Sequence, residues 1–100
     1  MSSFDPFDLR GQEQAKADAA KREQLARINE ADDFKWLMGS KRGRRIVWRL
    51  LDRTGVFRLS FNTNAMHMAF AEGNRNEGLR MLAQVHSICP ELYPVMMKEQ

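Results

Sequence analysis

The chain has 100 residues, 43% of them apolar, a mean hydropathy of −0.56 and one cysteine, Cys89. This length suits one compact domain rather than two, because domains cluster near ~100–150 residues. The sequence contains no run near the ~18 apolar residues of a membrane span and no secretory signal pattern, and one cysteine excludes an internal disulfide. We therefore expect a cytoplasmic protein that depends on packing or on partners for its stability.

Positive charge is concentrated in the middle third of the chain. The total formal charge is +3, yet residues 31–60 contain eight Lys or Arg and three Asp or Glu, whereas the segments on either side each carry a net charge of −1. A local excess of this kind can contact phosphate, an acidic protein surface or carboxylates of the same chain.

Residues 1–11 are predicted to be an aromatic anchor segment. Phe4, Phe7 and Leu9 lie around Pro6 in a stretch too short to form a core. A terminal segment of this kind either stays disordered or docks onto another molecule. We expect docking, with the three apolar side chains filling pockets on a neighbouring subunit.

Residues 12–31 are predicted to form an exposed helical arm. The segment lacks Gly and Pro and consists almost entirely of strong helix formers. Its apolar content is limited to alanines, Leu25 and Ile28, which is too little to drive a coiled coil. We expect Leu25 and Ile28 to join the anchor residues in binding a partner, and the arm to become ordered only in the assembly.

Residues 32–100 are predicted to form a compact helical domain. Phe34, Leu37 and Met38 share one helical face, which should carry the chain into this domain. Gly39 is expected to end that helix, and the residue after it, Ser40, can cap the next one.

The segment 40–54 has the most regular helical periodicity in the chain. At 100° per residue, one arc carries the apolar side chains expected to face the core, namely Ile46, Val47, Leu50 and Leu51. The opposite side carries a basic face formed by Arg42, Arg45, Arg49 and Arg53, with Trp48 beside it.

The basic face is the strongest candidate for function in the sequence. It could contact an acidic protein or DNA, or it could be a solvated surface neutralised by nearby carboxylates of Asp32, Asp33, Asp52, Glu72 or Glu77. Trp48 could stack on a base or an arginine, or pack against the arm. No helix-turn-helix, zinc-finger or RNA-binding signature accompanies the basic face, so any DNA contact is expected to be nonspecific.

The rest of the chain is predicted to be a connector and two further helices. Residues 56–61 alternate apolar and polar residues and are expected to form an extended connector that buries its aromatic side chains. Asn62 or Asn64 can cap the following helix, whose glycines allow either a hairpin or, as we favour, one continuous helix over residues 64–88. Its second half is apolar nearly all round and should be central and buried, and a short last helix should follow Pro90.

Glu72, Arg75 and Asn76 lie among apolar positions of that long helix. Polar groups must be hydrogen-bonded where they are buried. We therefore expect these three residues to form an internal polar network that links the long helix to the helix carrying the basic face.

An enzyme requires convergent reactive groups, and the inventory is His67, His86, Cys89, Ser40 and Ser60. His86 and Cys89 lie three positions apart, which would let a thiol and a base touch on a helix. In an apolar helix, however, an inert buried thiol is much commoner than a nucleophile. The histidines and the cysteine match no zinc spacing, and no glycine-rich phosphate loop is present. We predict no enzymatic activity, no metal and no cofactor.

Three linked patterns occur between Asp33 and Lys98: a basic G-R-R helix, a G-V-F connector and an F-x-E-G-x-R-N-x-G-x-x-x-L helix. The matching positions are Gly43, Arg44, Arg45, Trp48, Leu50, Leu51, Gly55, Val56, Phe57, Phe70, Glu72, Gly73, Arg75, Asn76, Gly78 and Leu82. In these patterns the chain resembles a family of short tailed-phage proteins first named from a short-tailed Bordetella phage. The resemblance implies a phage origin and a place among particle-assembly genes.

These observations together predict an all-α fold, a small domain of three or four helices with an extended N-terminal helical arm. The expected function is that of a minor structural protein of a phage particle, present in a multi-copy ring and binding virion proteins at the portal, the head-to-tail connector or the adjoining interior. The alternative is a nonspecific nucleic-acid-associated accessory protein that acts in DNA packaging or on host machinery. We expect the protein to be located in the virion and, during assembly, in the host cytoplasm. We expect no membrane contact and no small-molecule substrate.

Overall fold

A computed structural model of the chain describes residues 6–100, which form four α-helices and no strand. The helices are α1 (Leu9–Met38), α2 (Lys41–Arg53), α3 (Ala65–Ile88) and α4 (Leu92–Lys98). The predicted all-α fold is confirmed. Within the described residues, no helix combines the length and the apolar character needed to cross a membrane.

The chain divides into two compact units, and the division falls within α1, between Asp32 and Asp33. Among residues 6–32 of the first unit, no residue is buried. The second unit, Asp33–Gln100, contains all of the buried apolar side chains of the described chain.

The first unit consists mainly of the N-terminal part of α1, which begins at Leu9. The Asp8 carboxylate accepts a hydrogen bond from the Gly11 N–H at 3.0 Å. This bond provides an acceptor for one of the N–H groups that a helix leaves unpaired in its first turn. The helix thus begins three residues before the predicted boundary at Gln12, and Leu9 is helical.

Ser40 caps α2, as predicted: its hydroxyl oxygen accepts a hydrogen bond from the Gly43 N–H at 3.0 Å. Gly43 is buried in the first turn of α2, where a Cβ would collide with the Leu37 carbonyl oxygen at the end of α1. Only glycine allows the two helices to approach this closely.

The core of the second unit contains side chains from all four helices and from the connector. The fully or almost fully buried residues are Met38, Val47, Leu51, Val56, Val85, Cys89 and Met96. Phe34 and Leu37 pack against this cluster, so the predicted apolar face at the end of α1 is confirmed. Ile46 lies at the edge of the predicted apolar arc of α2 and is 41% exposed.

Helix α3 is continuous, which agrees with the favoured prediction rather than with a hairpin. The Asn64 side chain caps it by accepting hydrogen bonds from the N–H groups of Met66 and His67. The prediction that its second half is central and buried is wrong, because only Gly78 and Val85 are buried in this helix. Helices α2 and α4 pack against α3, and the residues of α3 that face neither helix stay in contact with solvent.

The connector between α2 and α3 does not bury its aromatic side chains, contrary to the prediction. Val56 enters the core, but Phe57 is 44% exposed and Phe61 is 79% exposed. Phe57 stacks on Trp48 of α2, with ring centroids 4.8 Å apart. The buried position of the connector is thus taken by the smaller Val56, and the aromatic rings lie at the surface.

Arg44 ties the end of α1 and the end of α4 to α2. Its Nε donates a hydrogen bond to Glu99 Oε1 at 2.7 Å, and its Nη1 donates to the Met38 carbonyl oxygen at 2.9 Å. The Arg44 side chain is 13% exposed and that of Glu99 is 16% exposed. Arg44, which follows the basic pattern of its neighbours in the sequence, is therefore a structural residue.

Candidate basic interface

Helix α2 presents the predicted basic face to solvent. Its arginines are exposed, on the side opposite the buried Val47 and Leu51, and they are Arg42, Arg45, Arg49 and Arg53. Within the described residues, none of the four forms an ion pair or a side-chain hydrogen bond. Among the described residues, the nearby carboxylates considered in the sequence analysis thus form no ion pair with the basic face.

Trp48, predicted to flank the basic face, is half-buried and already engaged. Its ring is stacked on Phe57 at an interplanar angle of 28° and packs against the core of the second unit. One face of the indole is therefore covered by a residue of the connector.

A cavity of about 260 Å³ lies where the end of α2, the connector and α3 meet. Three arginines and three uncharged polar residues are among its lining residues: Arg53, Arg58, Arg75, Thr54, Ser60 and Asn74. No Asp or Glu is among the described residues that line it. We refer to it as the arginine cavity.

The arginine cavity and the basic face are continuous, because Arg53 belongs to both. Arg58 is held in place by a hydrogen bond from its Nη2 to the Asp52 carbonyl oxygen at 2.7 Å. Its Nη1 also lies 4.0 Å from Asp52 Oδ1, in an exposed pair that contributes little energy. Arg58 thus caps the C-terminal end of α2 and is also one of the residues that line the cavity.

The internal polar network predicted for Glu72, Arg75 and Asn76 is not formed among the described residues. Asn76 is exposed, and no hydrogen bond or ion pair joins the three side chains. The Nε of Arg75 is buried and has no hydrogen-bond partner. Arg75 instead lines the arginine cavity, and its sequence neighbours on α3 accept no hydrogen bond from its Nε.

His86 and Cys89 do not form a thiol and base pair. Cys89 is buried in the core, whereas the exposed His86 lies against Tyr93 with ring centroids 4.8 Å apart. Burial raises the pKa of the Cys89 thiol, and the charge of Glu91 acts in the same direction while Lys35 opposes it. A thiol with a raised pKa is poorly ionised at neutral pH, whereas an activated nucleophile has a lowered pKa.

The predicted partner-binding residues of the first unit are exposed. The exposed fraction ranges from 49% for Ile28 to 88% for Phe7, with Leu9 and Leu25 between them. Phe4, the fifth residue of this predicted set, lies outside the described residues. Side chains at such exposure are accessible to another molecule.

Sequence reasoning missed Arg58 and Ser60 as parts of a site. Both were assigned to an extended connector, whereas the chain turns sharply at Gly55, which has a positive φ of 81°. This turn brings the connector back beside the last residue of α2 and beside α3. The available signal was the placement of one arginine at each end of the turn, Arg53 and Arg58.

A family model described as Bbp19-like phage protein matches residues 34–98. No curated protein and no solved structure shows significant similarity to the chain. The matched range includes the core of the second unit, the basic face and the arginine cavity. Because the match extends over more than half of the sequence, the chain belongs to the family of Bbp19-like phage proteins.

Proposed function

We propose that this protein is a minor structural component of a phage particle that binds neighbouring virion proteins. The observation that carries the proposal is the first unit, whose described residues include large exposed apolar side chains and no buried residue. Burying a Phe, Leu or Ile side chain contributes about 1.5–3 kcal/mol each. A partner surface that covers Phe7, Leu9, Leu25 and Ile28 would supply that energy.

Membership of the Bbp19-like family supports a phage protein. The place at which the protein attaches to the particle is part of our proposal. We place the protein at the portal, the head-to-tail connector or the adjoining interior, where several copies surround an axis. In a ring of copies, modest contacts made by each N-terminal segment add up through multivalency. The virion is then the final location, and the host cytoplasm is the place of assembly.

Quantitative identification of proteins in gradient-purified particles tests this proposal. We expect the protein at a fixed ratio to the portal protein. A double variant, Leu25→Ser with Ile28→Ser, should reduce incorporation, while Ala17→Ser at an exposed position of the same helix should not. Detection only in lysates of infected cells, with none in purified particles, would contradict the structural role.

A second candidate function, nonspecific nucleic-acid association in packaging or on host machinery, is favoured by the unpaired basic face. Each phosphate contact on duplex DNA contributes ~0.9 to the slope of log affinity against log salt. Replacing Arg42 and Arg45 by Gln should therefore lower that slope by ~1.8 if both contact phosphates. Absence of DNA binding at low salt would leave an acidic protein surface as the partner of the basic face.

A further inference from the structure

We propose that the arginine cavity binds a phosphate group of single-stranded nucleic acid, with the attached base stacked on Phe70. This site goes beyond the proposed structural role and rests on the second candidate function, to which it adds a defined site and a class of ligand.

The charge of the cavity selects an anion. Three arginines line a small volume and no described Asp or Glu lines it, although the exposed Asp52 carboxylate lies 4.0 Å from Arg58 Nη1. Arginine presents a planar set of N–H donors that matches the oxygens of phosphate, and such charge-assisted hydrogen bonds are stronger than neutral ones. The partial negative charge at the C-terminal end of α2 opposes an anion, but Arg58 caps the Asp52 carbonyl oxygen there.

The buried donor of Arg75 is the most specific sign of a ligand. Its Nε is shielded from solvent and has no hydrogen-bond acceptor among residues 6–100. Buried donors without partners are rare, because the group loses its water and gains nothing. Because Arg75 lines the cavity, a change of its side-chain rotamer would let an anionic oxygen bound there supply the missing acceptor.

The uncharged polar residues of the cavity divide into two roles. The Thr54 hydroxyl already donates to the carbonyl oxygens of Leu50 and Leu51, so its proton is committed to α2. The Ser60 hydroxyl and the Asn74 amide make no hydrogen bond with another described side chain. These two residues can therefore donate to a phosphate oxygen beside the arginines.

Size and apolar lining together favour a single-stranded polynucleotide. The volume of about 260 Å³ is below the ~300 Å³ at which pockets for drug-sized ligands begin, so the cavity fits a phosphate and part of its sugar. Phe70 lines the cavity and is 74% exposed. Exposed aromatic rings beside a basic groove bind unpaired bases by stacking, and bases in a duplex are not accessible for this contact. Arg53 and then Arg49 extend the basic surface from the cavity along α2, and the two positions are ~6 Å apart at 1.5 Å rise per residue.

Fluorescence anisotropy of the full-length protein with a labelled oligothymidine of roughly eight nucleotides tests the proposal, since such sites cover ~4–16 nucleotides. Arg75→Gln should weaken binding by about tenfold or more, the effect of losing a hydrogen bond to a charged group. The matched control is Arg80→Gln, which makes the same charge change on the same helix at a side chain that is 80% exposed. It should weaken binding by no more than about twofold.

Two further variants keep the test valid if Arg75→Gln unfolds the domain. Arg53→Gln alters an exposed residue of the cavity and should also weaken binding about tenfold. Phe70→Leu removes the stacking surface and should weaken binding of oligothymidine about fivefold or more, with duplex DNA unaffected. Equal losses in Arg75→Gln and Arg80→Gln, or no loss in Arg53→Gln and Phe70→Leu, would overturn the proposal.

Competition separates the possible sources of the phosphate. Thymidine monophosphate should displace the oligothymidine at lower concentration than inorganic phosphate does. Both compounds should displace more oligothymidine than sodium chloride does at equal ionic strength. Displacement by neither would overturn the site, and tighter binding of polyglutamate than of oligothymidine would assign the cavity to an acidic protein instead. Arg75→Gln should still enter particles, so failure of this site and failure of the structural role give different results.

Discussion

Two glycines of the family motif set how closely neighbouring segments of the second unit approach. Gly43 faces the Leu37 carbonyl oxygen, and Gly78 faces the side chains of Thr54 and Val56. At both positions a Cβ would overlap atoms of a neighbouring element. The presence of Gly43 and Gly78 in the motif is thus explained by close packing and does not require a ligand.

Gly78→Ala should destabilise the protein by about 1–3 kcal/mol, because the added methyl group overpacks the contact with Thr54 and Val56. Gly73→Ala on the same helix is the matched control, since no atom lies within 4 Å of its added Cβ. It should stabilise by about 0.5–1 kcal/mol, because alanine is the better helix former. Urea denaturation measures both. Equal effects of the two substitutions would show that α3 does not pack against the turn at Thr54.

Cys89 should make stability depend on alkaline pH. Its pKa is raised in the folded state above the ordinary value of 9.0, chiefly by burial. The neutral thiol therefore contributes stability that is complete below pH 9.0 and is lost as the pH rises through the folded pKa. The free energy of unfolding should fall above pH 9.0, and Cys89→Ala should show a smaller fall. Identical pH profiles for the two proteins would contradict this.

At the scale of the elements, one ion pair connects helices that are far apart in the sequence. Arg44 and Glu99 are 55 positions apart and mostly buried. Removing one partner of a buried pair leaves the other charge without compensation. Arg44 also binds the Met38 carbonyl oxygen, so its loss releases the end of α1 as well.

Glu99→Gln should lower the free energy of unfolding by about 3 kcal/mol, the low end for buried pairs, because both side chains keep some contact with water. Glu77→Gln is the control, since its pair with Arg80 is exposed and should contribute less than about 0.5 kcal/mol. Thermal unfolding followed by circular dichroism distinguishes the two. A Glu99→Gln protein as stable as the unsubstituted chain would mean that Arg44 is satisfied by Met38 alone.

Local sequence signals predicted most of the helix ends and the buried arc of α2. Ser40 and Asn64 cap helices because their side chains reach N–H groups two or three residues ahead, a geometry fixed within one turn. Val47 and Leu51 were predicted to be buried from periodicity alone and are buried.

Contacts between distant segments were not predictable in the same way. The exposure of Phe61, the burial of Arg75 Nε and the pairing of Arg44 with Glu99 all depend on where the chain goes after Gly55. A single sequence gives the side of a helix on which a residue lies, but not which other segment meets that side. The candidate site was therefore only half predicted: the basic face by periodicity, and the arginine cavity not at all.

At the scale of the whole molecule, every buried apolar side chain of the described chain lies between Met38 and Met96. Removal of residues 1–30 should therefore leave a folded helical protein with a nearly unchanged melting temperature. The same truncation should abolish entry into particles, because it removes the proposed contacts with virion proteins. Calorimetry and particle composition measure the two effects. An unfolded truncated protein would place residues 1–30 in the core, and normal incorporation would transfer attachment to the basic face.

The separation of 55 positions between Arg44 and Glu99 also determines when the second unit can be completed. Ribosomes add ~5–20 residues per second, so about 3–11 s pass between the synthesis of Arg44 and that of its partner. During this interval α4 does not yet exist, and the apolar side of α2 that packs against it stays open to water and to other nascent chains. The packing of α4 against α2 and the pair between Arg44 and Glu99 therefore form only after the last residues of the described chain have been synthesised.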